Sequence, residues 1–460
     1  MPKPVDVQVH PQFRHRLREL RERSGLSLRA LGTLSSYSHS YLHDLEKGTK
    51  QPTADTAVRL DQALSADGQL ATLVTARLAE PTPKARPRID GRHGADTGLD
   101  FPADWRQGID NASGLWRWNV QRRGLLRDVA FSATAFIAPA MRWLTTPFDE
   151  QPVGTGDWLV GPPDVDMIRQ FAATFRGLDN HYGGGHIHAA VVRFLDAEVA
   201  PLLHAGRYDA TTGAALFSAT AEMTQLAGWA AYDCGLHGLG QRHLIQALRL
   251  AMVAGDRALG AEILAAMSHQ AAYLRAGAEA VDLARAADRA AADAGVGAIR
   301  AEAAVLEAHG YAVGGNERAC TVALDRAERT LDKADRDRDP QWIRYFDEAY
   351  LAAKFGHCFA ALGRGDLAQR FATRSLDMDA RYVRGRQFNL ALLAMAHAQV
   401  GEVEQAAAVG AQAVQAAEGL RSARAMDYLA ALADRLAPYA GLPAVRDFTE
   451  QARPVLTAGR

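Results

Sequence analysis

Between residues 13 and 74 the apolar positions fall three or four residues apart inside short segments: Leu17 and Leu20; Leu28, Leu31 and Leu34; Leu42 and Leu45; Val58, Leu60 and Leu64; then Leu70. That spacing predicts five short helices in succession. Ser27, Ser38 and Thr53 stand where a side-chain oxygen can accept the free amide protons of a first turn. Gly25, Gly48 and Gly68 stand where helices end. Over residues 80–112 the pattern gives way to Pro, Gly, Arg and Asp, the composition of a linker. Ala and Leu then recur at helical spacing almost to residue 460, with no alternation that would feed a sheet. The expected fold is all-α: a five-helix domain over 1–80, a linker over 81–112 and a long helical domain over 113–460.

The long domain repeats. Gly235, Arg275, Gly315, Gly363 and Gly401 align with Gly240, Ala280, Cys320, Ala368 and Ala406 five places on, and with Ala247, Ala287, Ala327, Ser375 and Ala413 twelve places on. Small residues at fixed places let paired helices approach, and advances of roughly 34 to 47 residues mark stacked helical units. The unit Phe355-Gly356-x-x-Phe359 with Gly363, Ala368 and Ser375 resembles a degenerate tetratricopeptide repeat, which implies a helical solenoid.

Charge sharpens the division. The net charge of −1 hides an excess of four basic residues over 1–90 and of five acidic ones over the rest, so the front is the basic part. Cys234, Cys320 and Cys358 are too few and too scattered for a disulfide framework, which favours a reducing cytoplasm. The first residues lack the apolar core of a signal peptide, and no apolar run reaches the length of a membrane span. Arg122 and Arg123 before the apolar run 129–141 imitate an export signal, but behind a complete domain they read as the approach to a buried amphipathic helix.

Residues 27–64, SLRALGTLSSYSHSYLHDLEKGTKQPTADTAVRLDQAL, hold the most specific pattern. Ser27 caps the second helix, Leu31 is core, Tyr37 and Ser38 open the third helix, Leu42 and Leu45 form its buried face, Glu46-Lys47-Gly48 close it, and Pro52 leads to the fourth. This resembles the helix-turn-helix of phage-repressor-like, xenobiotic-response-element regulators. The resemblance implies that residues 38–47 form a recognition helix entering the major groove of double-stranded operator DNA. His39, Ser40, His43 and Asp44 are then placed to read base edges, with Ser27 and Ser38 as further DNA-contacting residues. Leu28, Arg29, Lys47, Thr49 and Lys50 lie nearer the phosphates, where positive side chains fix position without reading sequence. The helix departs from a generous DNA binder in holding no arginine and including an acid among its base-facing residues, so a single copy is expected to bind weakly and to need dimerisation. Arg14, Arg16, Arg18, Arg21 and Arg23 could touch DNA or form a solvated face.

Over its whole length the chain resembles an actinobacterial type of regulator in which this motif precedes a large tetratricopeptide-like domain, on segments such as SHSYLHDLEKG, LDNHYGGGHIHAAV, GWAAYDCGLHGLGQ and APYAGLPAVRDF. A looser similarity to peptide-sensing regulators implies a repeat domain that binds a small molecule or peptide and forms a homodimer. Trp229, Tyr232, Asp233, Gln270, Tyr273, Trp342, Tyr345 and Asn389 are the candidates for lining the ligand groove, with core packing or inter-helix hydrogen bonding as the alternative for each. His181, His186 and His188, around three glycines, tempt a zinc reading, but their intervals fit no metalloprotease pattern and favour a break between helices. His269, His309, His357 and His397 fall in separate repeats and suggest no grouping. No cofactor, metal or enzymatic reaction is expected. The rival is an interaction scaffold whose groove captures a protein.

Overall fold

The computed structural model describes residues 7–9, 13–35, 37–66, 68–70, 73–76, 97–121, 129–148 and 152–458. It divides into two compact units, Met1–Gly91 and Arg92–Arg460. Its class is all-α. No helix among the described residues is long and apolar enough to cross a membrane.

The first unit holds α1 (Phe13–Arg23), α2 (Leu28–Ser35), α3 (His39–Lys47) and α4 (Ala54–Leu64). Four helices are described rather than five. The expected fifth falls around Leu70, where the described backbone turns and then enters a strand, and residues 67, 71 and 72 lie outside the description. β1 (Val7–Val9) pairs antiparallel with β2 (Val74–Ala76), a pairing the missing alternation had not foretold, since three residues are too few to alternate visibly. Phe13, Leu17, Leu20, Leu31, Leu42, Leu45, Leu60 and Leu64 form the core. Leu34 and Val58, at helical spacing from core residues, are exposed instead, because a period locates a stripe but not its edges.

In the second unit α5 (Trp105–Gln121), α6 (Ile137–Thr145), α7 (Pro162–Tyr182), α8 (Gly184–Phe194) and α9 (Ala200–Ala205) precede the repeats. The linker expectation fails after residue 97. Phe101 is buried, and two buried side chains hold the backbone there: Gln246 donates to Gly98 O and Asp100 O, and Arg249 to Pro102 O and Ala103 O. Residues 81–96 lie outside the described residues. The apolar run 129–141 becomes a single turn followed by α6, with Phe136 and Ala140 buried and Met141 exposed. β3 (Gly154–Thr155), β4 (Trp158–Leu159) and β5 (Gly206–Tyr208) form a small sheet in the order β3-β5-β4.

Helix pairs follow: α10 (Ala210–Asp233) with α11 (His237–Ala254), α12 (Arg257–Tyr273) with α13 (Gly277–Ala294), α14 (Gly297–Val313) with α15 (Glu317–Asp332), α16 (Glu348–Ala361) with α17 (Gly365–Arg374), α18 (Val383–Gln399) with α19 (Val403–Ala416), and α20 (Ala423–Leu436) with α21 (Pro443–Ala458). The residues five and twelve places after each repeat marker are buried where the two helices of a pair meet. The markers themselves do something else. Gly235, Arg275, Gly315, Gly363 and Gly401 all have positive φ, from 66° to 86°, in the turn that ends the first helix of the pair. Glycine is there for its left-handed backbone rather than for close packing, and Arg275 is the one side chain that bears the strain. The long advance from Gly315 to Gly363 is an insertion after α15, anchored by buried Ile343 and Phe346.

The array curls until its ends meet. Asp179 of α7 receives both Nη atoms of Arg384 of α18 at 2.8 and 2.7 Å, across 205 residues. Asp233, at the end of α10, accepts from Gly184 N and Ser422 Oγ, both at 2.9 Å, and pairs with Arg384 at 3.2 Å. Gly183, Gly184 and Gly185 are needed here: a Cβ on Gly183 would sit 2.8 Å from Arg421 O, and one on Gly184 2.6 Å from Ala230 O. Gly185 N donates to Arg421 O, and Arg421 N to Tyr182 O.

Candidate functional site

Local chemistry presents α3. Ser38 Oγ accepts from Tyr41 N at the start of the helix, and Gly48, at φ 75°, closes it by donating to carbonyls of its last turn. Ser27 does the same work for α2, accepting from Ala30 N at 3.1 Å. Gly32 lets the chain between the two helices pass, since a Cβ there would lie 2.7 Å from Tyr37 O. Leu42 and Leu45 seat α3 in the core, and Arg21 fastens it from outside, its Nε and Nη2 meeting the two carboxylate oxygens of Glu46 at 2.6 and 3.0 Å. A two-point contact between largely shielded groups fixes orientation as well as distance.

What remains exposed on α3 is polar. His39, Ser40, His43 and Lys47 face solvent, and the rings of His39 and His43 lie within 10° of parallel at 6.3 Å. Ser27, Arg29, Ser38, Thr49 and Lys50 are also exposed, while Leu28 packs partly against the core. Asp44 and Lys50, expected to act separately, form an ion pair at 3.3 Å, and Lys50 also stands over the Tyr41 ring. Thr49 Oγ1 donates to Asp44 O. Both acids of α3, Asp44 with Lys50 and Glu46 with Arg21, are therefore balanced within the domain. Of the basic run on α1, Arg16, Arg18, Arg21 and Arg23 pair with Glu19, Glu22 or Glu46, and Arg14 lies beside Gly48 at the end of α3.

These features decide one matter. Residues 12–73 match the helix-turn-helix domain family. The chain carries a helix-turn-helix DNA-binding domain at its front. No characterised protein matches the chain in sequence.

Inside the ring of the second unit lies a cavity of ≈ 220 Å³. The first helices of the pairs face it, with α7 and the insertion after α15. Of the eight residues expected to line a groove, Trp229, Tyr273, Trp342, Tyr345 and Asn389 do so. The other three sit behind the wall. Asp233 belongs to the ion cluster that closes the ring, Gln270 donates to His237 O at 2.9 Å, and Tyr232 is fully buried with its hydroxyl 3.1 Å from His269 Nδ1. Trp342 and Tyr345 come from the insertion, which is what the longer repeat adds.

The cavity also holds residues that sequence reasoning passed over. His269, His309 and His357 line it together, and burial pushes all three imidazoles down, His309 to about 3. They are neutral at physiological pH, so His269 can accept the Tyr232 hydroxyl proton. The signal was in the register. Trp229, His269, His309 and His357 stand six residues before successive repeat markers, and Glu222, Glu262 and Glu302 thirteen before. A position kept in register along a solenoid makes one row along its inner wall. His397 is out of that register and pairs with Glu402 at 2.6 Å.

The glutamate row is held by its neighbours. Glu222 pairs with Arg176 at 2.8 Å, and the Tyr345 hydroxyl lies 3.0 Å from Glu262 and 2.9 Å from Glu302. Burial, and then the charge of Glu302, push the Glu262 carboxyl well above the usual range. Two cations complete the wall. Lys354, buried, stands over the Tyr350 ring, and Arg424 stacks among Tyr232, Phe388, Tyr273 and Trp229 at 4.5 to 5.7 Å. His181 and His186 stand edge-on to the Tyr182 ring, with His186 Nε2 also 3.2 Å from Gly419 O, while His188 turns to Asn119 and the His243 ring.

Proposed function

We propose that this protein is a sequence-specific transcriptional regulator whose α3 reads an operator and whose tetratricopeptide-like ring receives the signal as a small molecule. The observation that carries the first half is the exposed row His39, Ser40, His43 and Lys47 on a helix whose other face is locked into the core of a matched helix-turn-helix. Ser40 and the two imidazoles offer donors and acceptors to purine edges, and Arg14, Arg29 and Lys47 supply charge for the phosphates. With Asp44 engaged by Lys50, base reading rests on His39, Ser40 and His43.

One such helix makes few base contacts, so the reading includes a homodimer placing two copies of α3 in half-sites about 34–36 Å apart. For the second half, the cavity is walled by aromatic rings and closed by the Asp179–Arg384 and Asp233–Arg384 pairs. A closed, ring-lined pocket suits a small molecule, whereas capture of a peptide or protein calls for an open channel. The ligand would act by binding the DNA-competent and incompetent dimers with different affinity. No reaction is assigned to the chain.

Selection of bound duplexes from a random pool by the full-length protein tests this. The expected product is a discrete motif with two-fold symmetry, lost for the Ser40→Ala/His43→Ala variant. A motif without symmetry would remove the dimer, and no enrichment at all would remove the regulator in favour of a scaffold.

A further inference from the structure

The cavity wall holds two buried cations that make no close contact with a carboxylate. Lys354 is 5% exposed, and among the described residues no carboxylate lies within ion-pair distance of its ammonium. Arg424 is 4% exposed, with Nε and Nη1 making no hydrogen bond; its nearest carboxylate oxygen, on Asp233, is 3.8 Å away. A buried donor left without an acceptor costs stability, and apolar side chains of the same size would serve packing better. Burial, and then the charge of Arg424, lower the Lys354 ammonium to about 7 against the smaller opposing pull of the more distant Glu302 carboxylate.

The aromatic faces cannot be waiting for a cation. Rings that would cage an ammonium already hold the Arg424 guanidinium, 4.5 Å from the Tyr232 centroid and 4.8 Å from that of Phe388. A positive ligand would meet two like charges in a poorly screened space. The opposite end differs in kind. Glu262 lies eleven residues before Tyr273 on α12, about 16 Å along the axis at the helical rise. There Glu262 and Glu302 crowd one tyrosine hydroxyl, so the pair keeps a proton, and Glu262 Oε2 has no partner. The cavity thus has Arg424 at one end, ring-lined walls, and at the other end the Glu262–Glu302 pair, which shares one proton and can accept a hydrogen bond; Lys354 feels both Arg424 and Glu302. An apolar cavity of about 150 Å³ holds benzene, so this one, about half as large again, suits a ring bearing small substituents.

We propose that the ring cavity binds a compact aromatic carboxylate, its anion received by Lys354 and Arg424 and a hydroxyl or ring N–H at its far end by the Glu262–Glu302 pair. This rests on the reading of the cavity as the signal site and adds the chemistry of the signal. The groove outside shares Asn180 and Tyr382 with the cavity and gives the ligand its way in.

The test is calorimetric titration of the full-length protein with 4-hydroxybenzoate and indole-3-carboxylate, each beside its primary amide and its amine. At least one acid is expected to bind. Its amide should bind about 30-fold or more weakly, because the amide leaves both cations without a counter-ion. Lys354→Met should lose a similar factor for the acid alone, and Lys354→Arg should keep most of the affinity. The proposal is overturned if the amide matches the acid, if an amine binds, if Lys354→Met leaves acid affinity unchanged, or if neither acid binds. Release or capture of selected operator DNA by a neutral or cationic compound would overturn the carboxylate and keep the sensor. An acid that binds without altering operator affinity would keep the carboxylate and remove the sensor.

Discussion

Asp233→Ala is expected to destabilise the second unit by about 3–5 kcal/mol in a urea titration, the cost of breaking a buried, hydrogen-bonded ion cluster. Asp233 is fully buried and serves four donors: Gly184 N, Ser422 Oγ, Arg384 and, at longer range, Arg424. Removing its carboxylate leaves Arg384 with Asp179 alone and Arg424 with no carboxylate within ion-pair distance. It also cuts the join between the first and last helices of the ring. Asp233→Asn, which keeps an acceptor, should lose less. A change below about 1 kcal/mol for the alanine variant would mean that the ring is held by its apolar contacts and that the ion cluster is incidental.

Lys354→Met is expected to do the reverse and raise stability by about 2–4 kcal/mol near neutral pH. The sign follows from the direction of the shift. The ammonium titrates at about 7 in the folded chain and near 10.5 when unfolded, so the protonated lysine opposes folding. That penalty is complete below pH 7, shrinks as pH rises, and is gone above about 10.5. The margin of the variant over wild type should therefore narrow between pH 7 and pH 10 in matched urea titrations. A constant margin would show that shape rather than charge sets it. A variant that is more stable yet deaf to carboxylates would mark Lys354 as a residue held for function.

The first unit was legible because its decisive signals are local. Ser38 and Gly48 open and close α3 through bonds to residues a few places away, and Leu42 and Leu45 show which face is buried. Leu34 shares the helical spacing yet is exposed, because spacing says nothing about whether a second element covers the stripe. In the repeats the same local logic located the turns but gave the wrong reason for them, since a glycine chosen for positive φ and one chosen for close packing look alike in sequence. The residues 97–112 read as linker because Pro, Gly and Asp offer no apolar stripe; their backbone carbonyls, bound by Gln246 and Arg249, were the part that mattered.

The cavity was legible by halves. Trp229, Trp342 and Tyr345 were found as large rings on or beside repeat helices, but the histidine and glutamate rows needed the register to be followed at every position, not only at small residues. Closure of the ring depends on Asp179 meeting Arg384 across 205 residues, and no periodicity encodes that pairing. Tyr232 and Asp233 were singled out for the right neighbourhood and the wrong side of the wall, because helical spacing does not show which neighbours will cover a residue.

The central claim is that α3 reads base sequence, and it is tested most directly by the affinity of the full-length protein for its selected duplex and for a scrambled one at fixed salt. Wild type should prefer the selected duplex by about a thousandfold or more. His43→Ala should reduce that preference by about 1–3 kcal/mol. Lys47→Ala should weaken both duplexes alike, as loss of a phosphate contact does. Equal affinity of wild type for the two duplexes, or a preference untouched by both Ser40→Ala and His43→Ala, would contradict the account.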